Sequence, residues 1–222
     1  MKTSRKIMMA FLIFIFGGML ILYIDAWHHK TEARKSTVTK NIALPPFSVI
    51  VACEGTTFHL AQSDSNLLIL KFNKYDTIRD FNFATKNDTL FVKGKSGKRF
   101  VYCKNIKSIV TNKDSRVIVD KITSGSLDIH ANGGKIYMQL PKDKPQRITA
   151  LAIVSSNEAN IDISVLNMNV LSINSVNSEV AIDGKISVIH GRLSNHSMFI
   201  CKQNPDKIDI EKDSSSVMSF QQ

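Results

Sequence analysis

The chain has 222 residues and a formal net charge of +10. Hydrophobic residues make up 43% and charged residues 22%, which excludes a disordered chain and suits one globular domain with an accessory segment. Three cysteines, Cys53, Cys103 and Cys201, are too few and too widely spaced for a disulfide framework. At most one bridge is conceivable, Cys53 with Cys103 in an oxidising compartment, while buried free thiols are the commoner outcome for single cysteines inside apolar runs; the redox state stays open.

The first element is an apolar run. After Lys2, Arg5 and Lys6, residues 7–24 carry no charge. As a helix rising about 1.5 Å per residue they would span roughly 27 Å, close to the ~30 Å of bilayer hydrocarbon. This predicts a membrane anchor built on Phe11, Phe14, Phe16, Leu20 and Leu22, with Tyr23 and Trp27 at the headgroup level. A cleaved signal peptide is the alternative, yet its apolar core is usually shorter and Ile24, Asp25, Ala26 make a poor cleavage site. The basic N-terminus places residues 1–6 in the cytoplasm. The expected location is therefore the bacterial inner membrane, crossed once, with the domain facing the periplasm; export after cleavage is the other possibility.

Residues 25–43 read as a polar juxtamembrane linker, including His28 and His29. From there to residue 213 the apolar spacing has period two, as strands require. In the first half the strands are 47–52, 57–61, 67–72, 89–93 and 100–103, with 75–82 a short helix or loop. In the second half short alternating runs centre on Asp128, Tyr137, Asp162, Ser172, Ala181, Ser187, Phe199 and Asp209. Asn, Gly, Asp and Ser stand between them, residues that suit tight turns.

Leu171, Val180, Val188, Met198 and Ile208 follow one another at eight to ten residues. That rhythm suits an all-β, β-helix-like solenoid with one strand on each side of a coil, and Asn at the corners can stack. A β-sandwich has similar spacing and is the alternative fold. Asp183-Gly184 is a hairpin signal that favours the sandwich. Residues 214–222 read as a disordered tail.

Phe47-Ser48-Val49-Ile50, then Phe58 to Asp64 (FHLAQSD), then Asn87 to Val92 (NDTLFV) resemble the opening of the GIN-domain family. These are exported proteins, mainly of Bacteroidetes-type bacteria, labelled as adhesin heads. The resemblance covers residues 44–140 in order and continues beyond as strand rhythm. It implies a right-handed β-helix-like solenoid, and it supplies no catalytic residues. This chain departs from the family in keeping an uncleaved-looking anchor and in having fewer glycines in its early strands.

No constellation for chemistry converges. There is no G-x-S-x-G elbow, phosphate loop or zinc signature, so neither catalysis nor a cofactor is expected. Among the histidines, His28 and His29 read as solvated, since a metal needs three or four converging ligands. His190 and His196 frame a turn. Asp128, Asp162, Asp183 and Asp209 would form a carboxylate row if they stacked, but each occupies the outward position of its strand, where charge is ordinary. The basic clusters Lys93, Lys95, Lys98, Arg99 and Lys142, Lys144, Arg147 read as solvated loops.

The resulting expectation is a noncatalytic, membrane-tethered binding domain whose partner is an envelope protein or an anionic glycan, and not nucleic acid. A lipid-handling envelope bridge and a β-helix polysaccharide-processing enzyme are the rivals. Nothing in the sequence sets the oligomeric state, although unpaired end coils would invite association.

Overall fold

The structure is a computed structural model that describes residues 2–35, 37–73, 82–94, 98–138 and 147–220. It comprises two compact units: one holds residues 1–38 with 72–77, the other 39–71 with 78–222.

The first unit is dominated by helix α1 (Lys2–Lys35). Within it, side chains are described for residues 8, 9 and 12–27. Phe14, Phe16, Leu20, Leu22, Tyr23 and Trp27 are all exposed, and the Tyr23 and Trp27 rings approach to 6.4 Å between centroids. Phe11 lies outside the described side chains. Among the described residues no helix is long and apolar enough to cross a membrane. The membrane-spanning segment expected at 7–24 is therefore not supported on this criterion. Helical backbone also runs on to Lys35, into the expected linker.

The remaining described elements are all strands. In chain order come β1 (Thr37–Ala43), β2 (Val49–Ala52), β3 (Thr57–Gln62), β4 (Leu67–Asn73), β5 (Asn82–Lys86) and β6 (Thr89–Lys93). β7 (Lys98–Cys103), β8 (Ser108–Thr111), β9 (Arg116–Lys121), β10 (Thr123–Asn132), β11 (Lys135–Met138) and β12 (Arg147–Ser156) follow. The last are β13 (Asn160–Val176), β14 (Glu179–Ser194), β15 (Met198–Cys201), β16 (Lys207–Lys212) and β17 (Val217–Phe220).

These strands form a solenoid with two long parallel ladders. The first stacks β6, β2, β8, β10 and β12, then the C-terminal halves of β13 and β14, then β16. The second stacks β7, β3, β9 and β11, the N-terminal halves of β13 and β14, then β15 and β17. Leu171, Val180, Val188, Met198 and Ile208 fall alternately on the two ladders, as one strand per side of each coil demands. Asn160, Glu179, Met198 and Val217 stand in register nineteen residues apart.

Period-two alternation sends every second side chain inward. On the first ladder Ile50, Ile109, Ile129, Ile153 and Ile173 stack in register, all buried. On the second, Phe58, Val117, Ile136, Ile161, Val180 and Phe199 do the same. Each such side chain contributes about 1.5–3 kcal/mol on burial, and together they fill the space between the ladders.

Several details depart from expectation. The chain does not stack its coils in sequence order: β2 and β3 lie between β6–β7 on one side and β8–β9 on the other. Asp183-Gly184 does not make a hairpin but a bend within β14, beside a register shift opposite Ser164 and Asn167. The tight antiparallel hairpin is instead β5–β6, closed by Asn87 and Asp88, both at positive φ. Arg99 is not on a solvated loop: it lies in β7, 1% exposed, where Nη1 donates to the Thr57 carbonyl at 2.8 Å. Residues 217–220, placed in the tail, form β17 and pair with β15. The loop or helix expected at 75–82 and the cluster Lys142, Lys144 lie outside the described residues, apart from Asn82 at the start of β5.

Candidate binding groove

Where the first ladder ends and the second begins, the chain must reverse within a few residues at every coil. Tight reversals need left-handed backbone, and Asp114, Gly133, Asn157, Glu158, Asn177, Asn195 and His196 all have positive φ there. The residue before each second-ladder strand must fit inside the corner. Among the described residues it is small and buried at Thr56, Ser115, Gly134, Ala159, Ser178, Ser197 and Ser216. At Gly134 a β-carbon would lie 2.6 Å from the Thr111 Cβ, so this coil has no room for even alanine unless its neighbour shifts.

Corner backbones bond coil to coil. Asp114 N–H donates to the Gly133 carbonyl, Gly133 to Ser156, Glu158 to Asn177, and Asn177 to Ser194. Side chains continue the pattern: Asn157 Nδ2 donates to Asn132 Oδ1, while Asn195 N–H donates to Asp213 Oδ2 at 2.7 Å. Asp213 also accepts from Ser215 and Ser216. These bonds, that from Asn195 foremost, hold its carboxyl well below the usual carboxylate range.

Because the main chain is consumed internally, the polar side chains are left to face solvent. They line two shallow clefts along this edge. One, of about 500 Å³, is bordered by Lys113, Asn132, Gly133, Asn157, Glu158 and Asn177. The other, of about 260 Å³, shares Glu158 and Asn177 and continues past Asn160, Glu179, His196 and Met198. The shared residues join them into one groove of mixed polar and apolar lining that crosses successive coils.

The residues singled out from sequence do not converge elsewhere. Asp128 and Asp209 occupy one outer column but are separated in register by Ala152, Ser172 and His190, about 19 Å at ~4.8 Å per strand. Asp162 is on the other ladder, and Asp183 pairs with Lys202 at 3.3 Å. No carboxylate row exists among them. His59 stacks on Phe100 at 5.0 Å and contacts Asp120 at 3.1 Å, while Lys71 lies over the Phe100 ring. Among the described residues no three His, Cys, Asp or Glu gather to hold a metal. The side chains of His28 and His29 lie outside those described. All three cysteines are free, so the Cys53–Cys103 bridge is absent. Cys53 follows a first-ladder strand, whereas Cys103 sits on the second ladder, opposite Gln62. Burial pushes the Cys103 thiol up to about 11 and raises that of Cys201.

Asn132, Asn157 and Asn177 stand between alternating runs, where the sequence marks asparagine as a turn former and not as part of a site, and Lys113 and Glu158 carry no signal of their own. The available signal was spacing: Asn157, Asn177 and Asn195 recur one coil apart.

The sequence matches no family model and no curated protein. The fold does match solved structures. A crystal structure from Bacteroides fragilis, of a protein described as a candidate adhesin, superposes with a TM-score of 0.61 at 14% identity, covering 84% of this chain and 97% of that one. Another candidate adhesin, from Parabacteroides distasonis, gives 0.60 at 12% identity, over 83% and 93%. The chain has the fold of these Bacteroidetes proteins.

Proposed function

We propose that this protein is a noncatalytic, adhesin-like binding domain of the bacterial envelope, of the GIN-domain type, tethered at the inner membrane by its N-terminal helix with the solenoid on the periplasmic side. The observation that carries the binding reading is the filled interior. Isoleucine, valine and phenylalanine columns occupy the space between the ladders. A lipid-handling bridge needs an open apolar cleft there, and a polysaccharide-processing enzyme needs clustered carboxylates on a face. What the fold offers a partner is its outer surface, as solenoids generally do. The names of the structural relatives in Bacteroides and Parabacteroides agree with this.

The tether rests on the run of apolar side chains exposed along α1, which water alone would not favour. The experiment is to express the full chain with a C-terminal tag, extract it in mild detergent, and measure its binding to purified envelope fractions and arrayed glycans. Saturable binding without turnover of the bound material supports the reading; no binding to either sinks it. Recovery of the uncleaved chain in the membrane pellet after alkaline washing supports the tether, and recovery of a shortened soluble chain overturns it.

A further inference from the structure

The corner groove differs in character from the rest of the molecule. Although the chain carries +10 overall, the described lining of the groove holds one lysine, Lys113, against Glu158 and Glu179. It also holds His196 and the amides of Asn132, Asn157, Asn160 and Asn177; that of Asn160 donates to Glu179 Oε2 at 3.2 Å, while the side chains of Asn132, Asn157 and Asn177 are exposed.

We infer that this groove takes an uncharged, hydroxyl-rich glycan, an inference that rests on the binding-domain reading above. Each amide offers a carbonyl acceptor and an NH2 donor, which together complement a sugar hydroxyl that both donates and accepts. The bond from Asn157 Nδ2 to Asn132 Oδ1 orients this pair and leaves the Asn132 NH2 and the Asn157 carbonyl oxygen for a ligand. Asn177 adds a further amide on the next coil, in both clefts. Amides thus recur with the coil repeat of about 4.8 Å, so a chain of sugar units lying along the edge meets similar groups at successive coils.

Other ligand classes fit less well. A polypeptide binds through apolar anchors in pockets or by adding a strand to an open edge. The corner backbone is already spent between coils, and Met198 is the large apolar side chain among the described lining. A nucleic acid or acidic polysaccharide requires concentrated positive charge, which two glutamates against one lysine do not supply. A metal has no cluster to hold it among the described residues.

The test uses the full chain in detergent on an array of neutral oligosaccharides, with uronic-acid and phosphorylated glycans as a second set. Asn157→Gly and Asn177→Gly remove the amides while tolerating the positive φ of these corners, 57° and 46°. The inference predicts binding to neutral glycans that weakens by about tenfold in each variant, the scale of one or two lost hydrogen bonds. Asp128→Asn and His130→Ala, on the first ladder's outer face, should leave it unchanged, and circular dichroism should show an intact fold for all four. Neutral-glycan binding that persists in the groove variants overturns the inference and leaves the binding reading standing. So does binding confined to acidic glycans or to envelope proteins. Absence of binding to glycans and envelope fractions alike overturns both.

Discussion

Gly191 stacks directly on Ile173, and a β-carbon added to Gly191 would lie 1.8 Å from the Ile173 carbonyl oxygen. The obstruction is backbone, which cannot swing aside, and the φ of +144° is itself closed to most side chains. Gly191→Ala should therefore cost about 3 kcal/mol or more, in the range of forced backbone strain and overpacking. Gly125 meets nothing within 4 Å, so Gly125→Ala is the matched control and should change stability by less than about 1 kcal/mol. Urea midpoints of the two variants decide this; equal midpoints would refute the account.

A second relationship lies within the core. Ser155 Oγ donates to Ser175 Oγ at 2.9 Å, both buried and one coil apart. Removing one hydroxyl strands its partner without solvent, so Ser155→Ala or Ser175→Ala should each cost about 1–2 kcal/mol. Once the first is gone there is no bond for the second to break, so the double variant should cost less than the sum. Strictly additive losses in denaturant titrations would show that the pair is not coupled.

The coil itself was legible because it is written in local terms. Period-two alternation marks each strand, and the step of eight to ten residues from Leu171 to Ile208 marks two sides per coil. The stacking order was not legible. Nothing local to β2 says that Ile50 stands between Leu90 and Ile109, since both partners lie some 40 to 59 residues further along the chain. Asp183-Gly184 misled because glycine serves bends as well as hairpins: here it gives way to the Val165 carbonyl, 2.1 Å from where its Cβ would be. Arg99 misled because a charge beside glycines reads as loop, while its place opposite Leu70 in β7 is a tertiary fact. The groove escaped notice for a related reason: its asparagines explain themselves as turn formers, and only stacking brings them together.

Cysteine reactivity follows from burial. Alkylating reagents attack the thiolate, and the raised Cys103 and Cys201 thiols are both buried and protonated at neutral pH. Cys53 is partly exposed. Iodoacetamide at pH 8 should label Cys53 first, with Cys103 and Cys201 reacting only after denaturation, and reductant should leave the melting temperature unchanged. Mass spectrometry of the native protein with three rapid labels would contradict the buried placement.

The acid limit of the domain should be set partly by Asp213. Its carboxylate accepts from the Asn195, Ser215 and Ser216 N–H groups, joining two coils at the corner, and these bonds depress its folded pKa. A depressed folded pKa means that the unfolded chain takes up the proton first. The stabilisation is thus complete above the unfolded carboxylate value of about 3.9, and is lost as pH falls from there through the lower folded value. Asp213→Asn removes an acceptor oxygen and the charge, so it should be less stable than the parent at pH 7. The two should converge as the pH drops below about 3.9, because the parent then loses the same contribution by protonation. Thermal melts at intervals from pH 7 to pH 2 measure the gap between them. A gap that stays constant across that range would show that the Asp213 bonds do not depend on its ionisation.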